Sequence, residues 1–180
     1  TGGTVLTVGD YKTHVFTGDG CFVVSSVGNS AGGPSVVDYV VVAGGGGGSG
    51  AGGMRLSNDA PRSGLPAPTM SPLVTPTGIT VTATTFPIVV GAGGAQGGNP
   101  GSNSSFSTIT SAGGGGGAGA NGGSGASGQA YAPNPIGPGS GNTPPVSPPQ
   151  GNNAGSLSNP VNPSGSSIAF NGGGGAGAAS

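Results

Sequence analysis

Four times the chain runs from a short apolar stretch straight into glycine, and no other feature limits its fold so severely. VVVA at 40–43 leads into GGGGGSGAGG, FPIVV at 86–90 into GAGGAQGG, FSTITS at 106–111 into AGGGGGAGANGGSGASG, and SSIAF at 166–170 into NGGGGAGAA. Glycine gives up more backbone freedom on ordering than any other residue, and it buries no side chain in return. A chain with 45 glycines among 180 residues therefore either leaves these runs as flexible linkers, as Gly/Ser tracts commonly are, or holds them by bonds between backbones. The runs recur at irregular spacing, which makes them a repeated module and not a solenoid of fixed period.

The ordered alternative is an extended left-handed helix of polyproline-II type, with about three residues per turn and a rise of about 3.1 Å. Only glycine lets several such helices approach until their N–H and C=O groups pair laterally, so that backbone bonds stand in for an absent apolar core. On that rise Ala43 to Gly53 spans roughly 34 Å. Two details favour this reading. Each run is fed by an apolar strand that can anchor it, and the residues interrupting the runs are Ala, Ser, Asn or Gln, with no charge. A bundle of this kind displays its connecting loops at its ends. Here those loops are the Pro-rich segments 54–78 and 129–165, whose prolines also forbid long helices.

Residues 1–43 differ from the rest and read as a small β unit, with 44–180 as the glycine-rich region. TVLTV at 4–8, YKTHVFT at 11–17, CFVVSSV at 21–27 and VVDYVVVA at 36–43 are β-branched and aromatic runs separated by turn residues. Gly18-Asp19-Gly20 supplies the positive-φ positions of a tight hairpin between the second and third. Tyr11, Phe16, Phe22 and Tyr39 are expected to build the core of this unit. Phe86, Phe106 and Phe170 each stand just before a glycine run, where they either plug it or, as is favoured, pack in the core, and Tyr131 is left in a Pro-rich loop as a sugar-stacking contact.

Charge excludes several functions. Only Asp10, Asp19, Asp38, Asp59, Lys12, Arg55 and Arg62 are charged, for a net charge of −1. No basic patch exists to neutralise nucleic-acid phosphates or to hold an anionic membrane, and no apolar stretch is long enough to insert into one. The N-terminus lacks the layout of a signal peptide. A surface so nearly neutral lacks the repulsion that keeps proteins apart, so association with copies of the same chain is expected.

Catalytic chemistry finds little to work with. His14 is the only histidine, on an alternating strand with Asp10 and Asp19 as the nearest acids, and it reads as a surface strand residue. The lone Cys21 excludes an intramolecular disulfide and a cysteine zinc site and reads as a small hydrophobe on a strand. Asp10, Asp19 and Asp38 have no metal-loop spacing and read as turn and strand-edge residues. GAGANG at 117–122 matches a dinucleotide fingerprint without the helix or acidic residue that would give it meaning. The glycosylation acceptor pattern Asn103-Ser104-Ser105 is uninformative in so Asn/Ser-rich a stretch. No enzyme activity, cofactor or metal is expected.

FTGDGCFVV, VDYVVVAGGGGGSGAGG, ITVTATTFPIVVGAGGAQGG, SSFSTITSAGGGGGAGANGGSG and NTPPVSPPQGNNAG together resemble the glycine-rich tail-fibre and adhesin proteins of bacteriophages, particularly those of aquatic environments. The resemblance implies an all-β fold with a small N-terminal sheet and a polyglycine-II helix bundle, as in the tip adhesins of T-even-type phages, and essentially no α-helix. Carried onto this chain, the bundle runs through Ala43 to Gly53, Gly91 to Gly98, Ala112 to Gly128 and Gly172 to Ala178. Its central glycines are Gly44, Gly45, Gly46, Gly47 and Gly48, with Gly113, Gly114, Gly115, Gly116 and Gly117. Receptor contact falls to loops within Met54 to Thr77 and Gln129 to Ser164, with Arg55, Asp59, Arg62, Met70, Tyr131 and Asn134 as candidates. No fibre-attachment domain of the T-even type is recognisable at the N-terminus.

The function implied is a non-enzymatic adhesin in the virion that binds a host-surface glycan or outer-membrane protein and mounts on other fibre proteins or on copies of itself. The alternative is an extracellular structural protein that polymerises into filaments through β-strands and glycine helices. A flat glycine-helix slab binding ice or another surface is a third, weaker reading.

Overall fold

Runs of β-branched and aromatic residues supply most of the strands. A computed structural model describes residues 1–9, 11–28, 35–58, 74–75, 77–130, 136–156, 169–170 and 173–175. Among them the chain is all-β with no helix: β1 (Thr4–Val8), β2 (Tyr11–Val15), β3 (Gly20–Val23), β4 (Val36–Val37), β5 (Val40–Val42), β6 (Met54–Ser57), β7 (Val74–Thr75), β8 (Ile79–Thr80), β9 (Thr85–Val89), β10 (Ser104–Phe106), β11 (Ile109–Ser111), β12 (Gln129–Ala130) and β13 (Ala169–Phe170).

These strands make five small sheets: β1-β2, β11-β10-β9-β3, β12-β13, β4-β8 and β5-β6-β7. All pairings are antiparallel except β6 with β7, where Leu56 lies opposite Val74. The four-stranded sheet carries the side-chain core. Phe106 is edge-on to Phe22 at 5.9 Å and to Phe86 at 6.0 Å between ring centroids, and Tyr39 and Val41 of the adjoining β4–β5 segment are buried with it. The rings of Phe86 and Phe106 thus join Phe22 in one cluster, in keeping with the core reading of these two residues.

Several sequence expectations are corrected. The tight hairpin is not at Gly18-Asp19-Gly20 but between β1 and β2, where Val8 faces Tyr11 and Gly9 has φ +58°. A two-residue connection suits the twist of a hairpin, whereas the Asp19 carboxylate accepts a bond from the Val90 N–H at 2.8 Å and fixes a corner between sheets. β3 consequently pairs with β9, with Phe22 opposite Phe86, and β4 and β5 also find partners beyond residue 43. Among the described residues only the β1–β2 pairing is internal to the N-terminal segment.

FSTITS is a hairpin and not one strand. Phe106 faces Ile109 across a turn in which Ser107 adopts φ 53°. The segment 54–78, expected to be irregular, supplies β6 and β7. Tyr11 is 64 % exposed and leaves the core, while Cys21 is an exposed free thiol on β3 and not a packed hydrophobe. His14 is half-buried: its Nδ1–H donates to the Gly2 carbonyl at 2.8 Å, and its ring meets Phe22 edge-on at 5.0 Å.

Candidate functional site

The glycine runs form a layer of backbone that is neither helix nor strand and is for the most part buried or half-buried. Its hydrogen bonds repeat every three residues. From the run after β5, Ala43 and Gly46 donate to Gly53 and Gly50 at 3.0 and 2.7 Å, while Gly44 and Gly47 donate to Ser102 and Asn99 at 3.0 and 2.8 Å. The residue between, Gly45, accepts from Gly94 at 2.8 Å. One run therefore addresses a different neighbour at each of three successive positions and returns to the first neighbour at the fourth. A β-strand, with its period of two, cannot do this.

The same step recurs elsewhere. Gly53 and Gly50 donate to Ala112 and Gly115 at 2.8 and 3.2 Å, and Asn142 and Gly139 donate to Gly123 and Ala126, both at 2.9 Å. Gly114 sits at the centre, donating to Gly44 at 2.9 Å and accepting from Gly101 at 3.0 Å. Glycine is obligatory at such points because of close approach: a Cβ on Gly114 would collide with the carbonyls of Gly50 and Ala51, and one on Gly44 with that of Ala92.

Two of the runs are double passes, which shortens the expected 34 Å span. The chain after β5 turns back near Ser49, so that Gly46 bonds to Gly50, and the run after β11 turns at Ala118-Gly119, so that Gly115 bonds to Ser124 at 3.0 Å. Gly119 has φ +67° there. The runs leave β5, β9 and β11 at one end, and their turns at Ser49, Gly97-Gly98 and Ala118-Gly119 gather at the other, around a cleft of about 410 Å³.

Gln150 is the polar keystone at the sheet end. It is 1 % exposed. Its Oε1 accepts from the Ala112 N–H at 2.7 Å, its Nε2 donates to the Pro144 carbonyl at 2.8 Å, and its own carbonyl accepts from Met54 at 2.7 Å. The Pro-rich turn above it is clamped by Asn142, which has φ 49° and whose side chain bonds Val146 in both directions at 3.1 Å. Thr143-Pro144 and Ser147-Pro148 are cis peptide bonds. The sequence reading passed over Gln150 and Asn142, for their only signal is an uncharged amide beside prolines.

Of the candidate contact residues, Arg55 lies half-buried on β6 opposite Val41, in a sheet and not in a loop. Asp59, Arg62, Met70, Tyr131 and Asn134 fall outside the described residues. Of the ten central glycines, Gly114 donates to Gly44 at 2.9 Å, and Gly46 and Gly48 lie against Gly115 and Gly116. Asp38 accepts from the Ser57 hydroxyl at 2.9 Å, a strand-edge role. Among the described residues no helix is long and apolar enough to cross a membrane.

Residues 25–180 match a protein family described as a glycine-rich domain. The chain belongs to this family. Comparisons with curated proteins and with solved structures found no match. The glycine-rich domain so delimited takes in the whole laterally bonded layer and begins after β3.

Proposed function

We propose that this glycine-rich domain is a non-enzymatic adhesin of a phage tail fibre, in which the laterally bonded layer is a polyglycine-II bundle holding turns and loops out towards a receptor on the host cell. The observation that carries it is the period of three in the backbone bonds of Ala43–Gly47, which agrees with a helix of about three residues per turn. A rigid, uncharged scaffold with its variable connections at the ends suits display: the loops can change without disturbing the bonds beneath them. The receptor is a surface glycan or an outer-membrane protein, and the location is the virion.

A second reading, self-assembly into extracellular filaments, is favoured by one surface. The outer face of the β1–β2 hairpin carries Leu6, Val8 and Tyr11 at 53 %, 75 % and 64 % exposure, on a chain of net charge −1. Exposed apolar strands invite association.

Electron microscopy together with cell binding separates the two. The adhesin predicts discrete particles, saturable binding of the labelled chain to host cells, and competition with virion adsorption. Long regular filaments of the purified chain that fail to bind cells would overturn it in favour of the structural role.

A further inference from the structure

We infer that the cleft at the turn end of the glycine layer is a binding site for an uncharged saccharide. The inference rests on the adhesin reading for its biological setting, but on the cleft's own chemistry for its ligand. The cleft measures about 410 Å³, within the range of about 300–1,000 Å³ common to small-molecule sites.

Its walls come from turns distant in sequence. Gly48 and Ser49 lie at the turn within the first glycine run, Gly98 ends the second, Gly117 precedes the turn within the third, Ser127 is near the end of that run and Gln129 opens β12. The geometry leaves a mixed set of hydrogen-bonding groups uncommitted. Ser49 Oγ donates to Ser127 Oγ at 2.9 Å and accepts from the Ser127 N–H at 2.8 Å. The Ser127 hydroxyl, already an acceptor, is thereby left with its own proton to give.

Gln129 bonds Ile136 through its backbone in both directions at 2.8 Å, and its side-chain amide has no partner among the described residues. Neither do the N–H groups of Gly48, Gly98 and Gly117. The carbonyls of Gly48, Gly98 and Gly116 likewise accept no backbone bond among the described residues, so donors and acceptors stand side by side with the Gln129 side-chain amide and the serine hydroxyls. Sugar hydroxyls, which both give and accept, match such a set.

Charge among the described residues favours a neutral ligand. An anion would call for a cation in the wall, but Lys12 is on β2 and Arg55 on β6, neither of them lining the cleft. Among the described residues no carboxylate lines it to hold a cation. An apolar ligand would leave the free amides unpaired, at a cost of about 1–3 kcal/mol each. The site differs from the Pro-rich loops that the sequence offered as the contact surface, and the glycines of the turns are what bring its backbone donors within reach.

The test is an amide-resolved NMR titration of the full chain with lactose, maltotriose and mannotriose as uncharged probes and 3′-sialyllactose as a charged one. Saturable shifts centred on Gly48, Gly98, Gly117 and the Gln129 side chain are expected with at least one uncharged sugar. Gln129→Leu should weaken that binding about tenfold, as loss of a hydrogen-bonding group does, and Ser127→Ala should weaken it as well, both variants keeping the remaining amide spectrum. Absence of shifts with every uncharged probe, shifts with sialyllactose alone, or unchanged affinity in both variants would overturn the site. Cell binding without any sugar response defeats the cleft and spares the adhesin. A sugar response in a chain that neither binds cells nor competes with virions upholds the cleft and defeats the adhesin.

Discussion

The β-sheets and the glycine layer of this protein solve the same problem with opposite materials. Around Phe22, Phe86 and Phe106 the chain excludes water with side chains, and the backbone bonds of β3, β9 and β10 run along a ladder of conventional period. In the layer there are almost no side chains to bury. The run Ala43–Gly47 turns its polar groups outward in three directions and finds a neighbour in each. A side-chain core fails when atoms are taken away, and a backbone core fails when atoms are added. That contrast is open to direct attack from both sides.

The largest effect is expected from adding atoms at the centre of the layer. In Gly114→Val the new side chain meets the Gly50 and Ala51 carbonyls, and those belong to a pass that is itself bonded to Gly115. Backbone cannot step aside as a rotamer can, so a loss of more than about 4 kcal/mol is expected, in the class of severe overpacking. Urea unfolding and amide exchange would read it. Retained protection at Gly44 and Gly101, the two partners of Gly114, would refute the idea that the layer is a backbone core.

Taking atoms away from the sheets should cost somewhat less. Phe106 is 9 % exposed and touches two other rings, so Phe106→Ala removes a buried ring and should destabilise by about 3 kcal/mol. The loss should show first in the exchange protection of β9, β10 and β11, before that of Ala43–Gly53. Equal and simultaneous loss in both regions would mean that they form a single cooperative unit and that the contrast between them is one of chemistry alone.

What the sequence made legible follows the same division. Strands could be read from local runs, because β-branched and aromatic residues declare themselves, and the fusion of strands to glycine runs was visible as text. Strand partners could not be read. Alternation says which face a residue takes, not which strand lies beside it, and Gly18-Asp19-Gly20 has the composition of a hairpin while serving as a corner. The layer's direction changes were hidden as well: a turn at Ser49 differs from its flanking run by one hydroxymethyl group. The cleft, assembled from three such turns and the segment that enters β12, was therefore beyond the reach of motif reasoning. Gln150 was hidden for another reason, since its importance lies in what the glycines around it lack: the Ala112 N–H, like that of Gly113 beside it, has a side-chain amide oxygen for a partner and not a backbone carbonyl.

The smallest effect sharpens the comparison most, because it has the opposite sign. Gly93 lies on the exposed outer run 91–96, and a Cβ there would come no nearer than 3.7 Å to the Gly45 carbonyl, an ordinary contact. Its φ is not in the left-handed region. Alanine can therefore adopt the native backbone without strain, and it restricts the unfolded chain more than glycine does, so Gly93→Ala should stabilise the fold by about 0.5 kcal/mol. Thermal unfolding of this variant beside Gly114→Val separates two reasons for a glycine. If both variants lost stability, glycine would be required throughout the layer for its conformational freedom. If only the buried position fails, glycine is required there for the absence of its side chain, and the outer run is free to accept methyl groups, as it already does at Ala92 and Ala95.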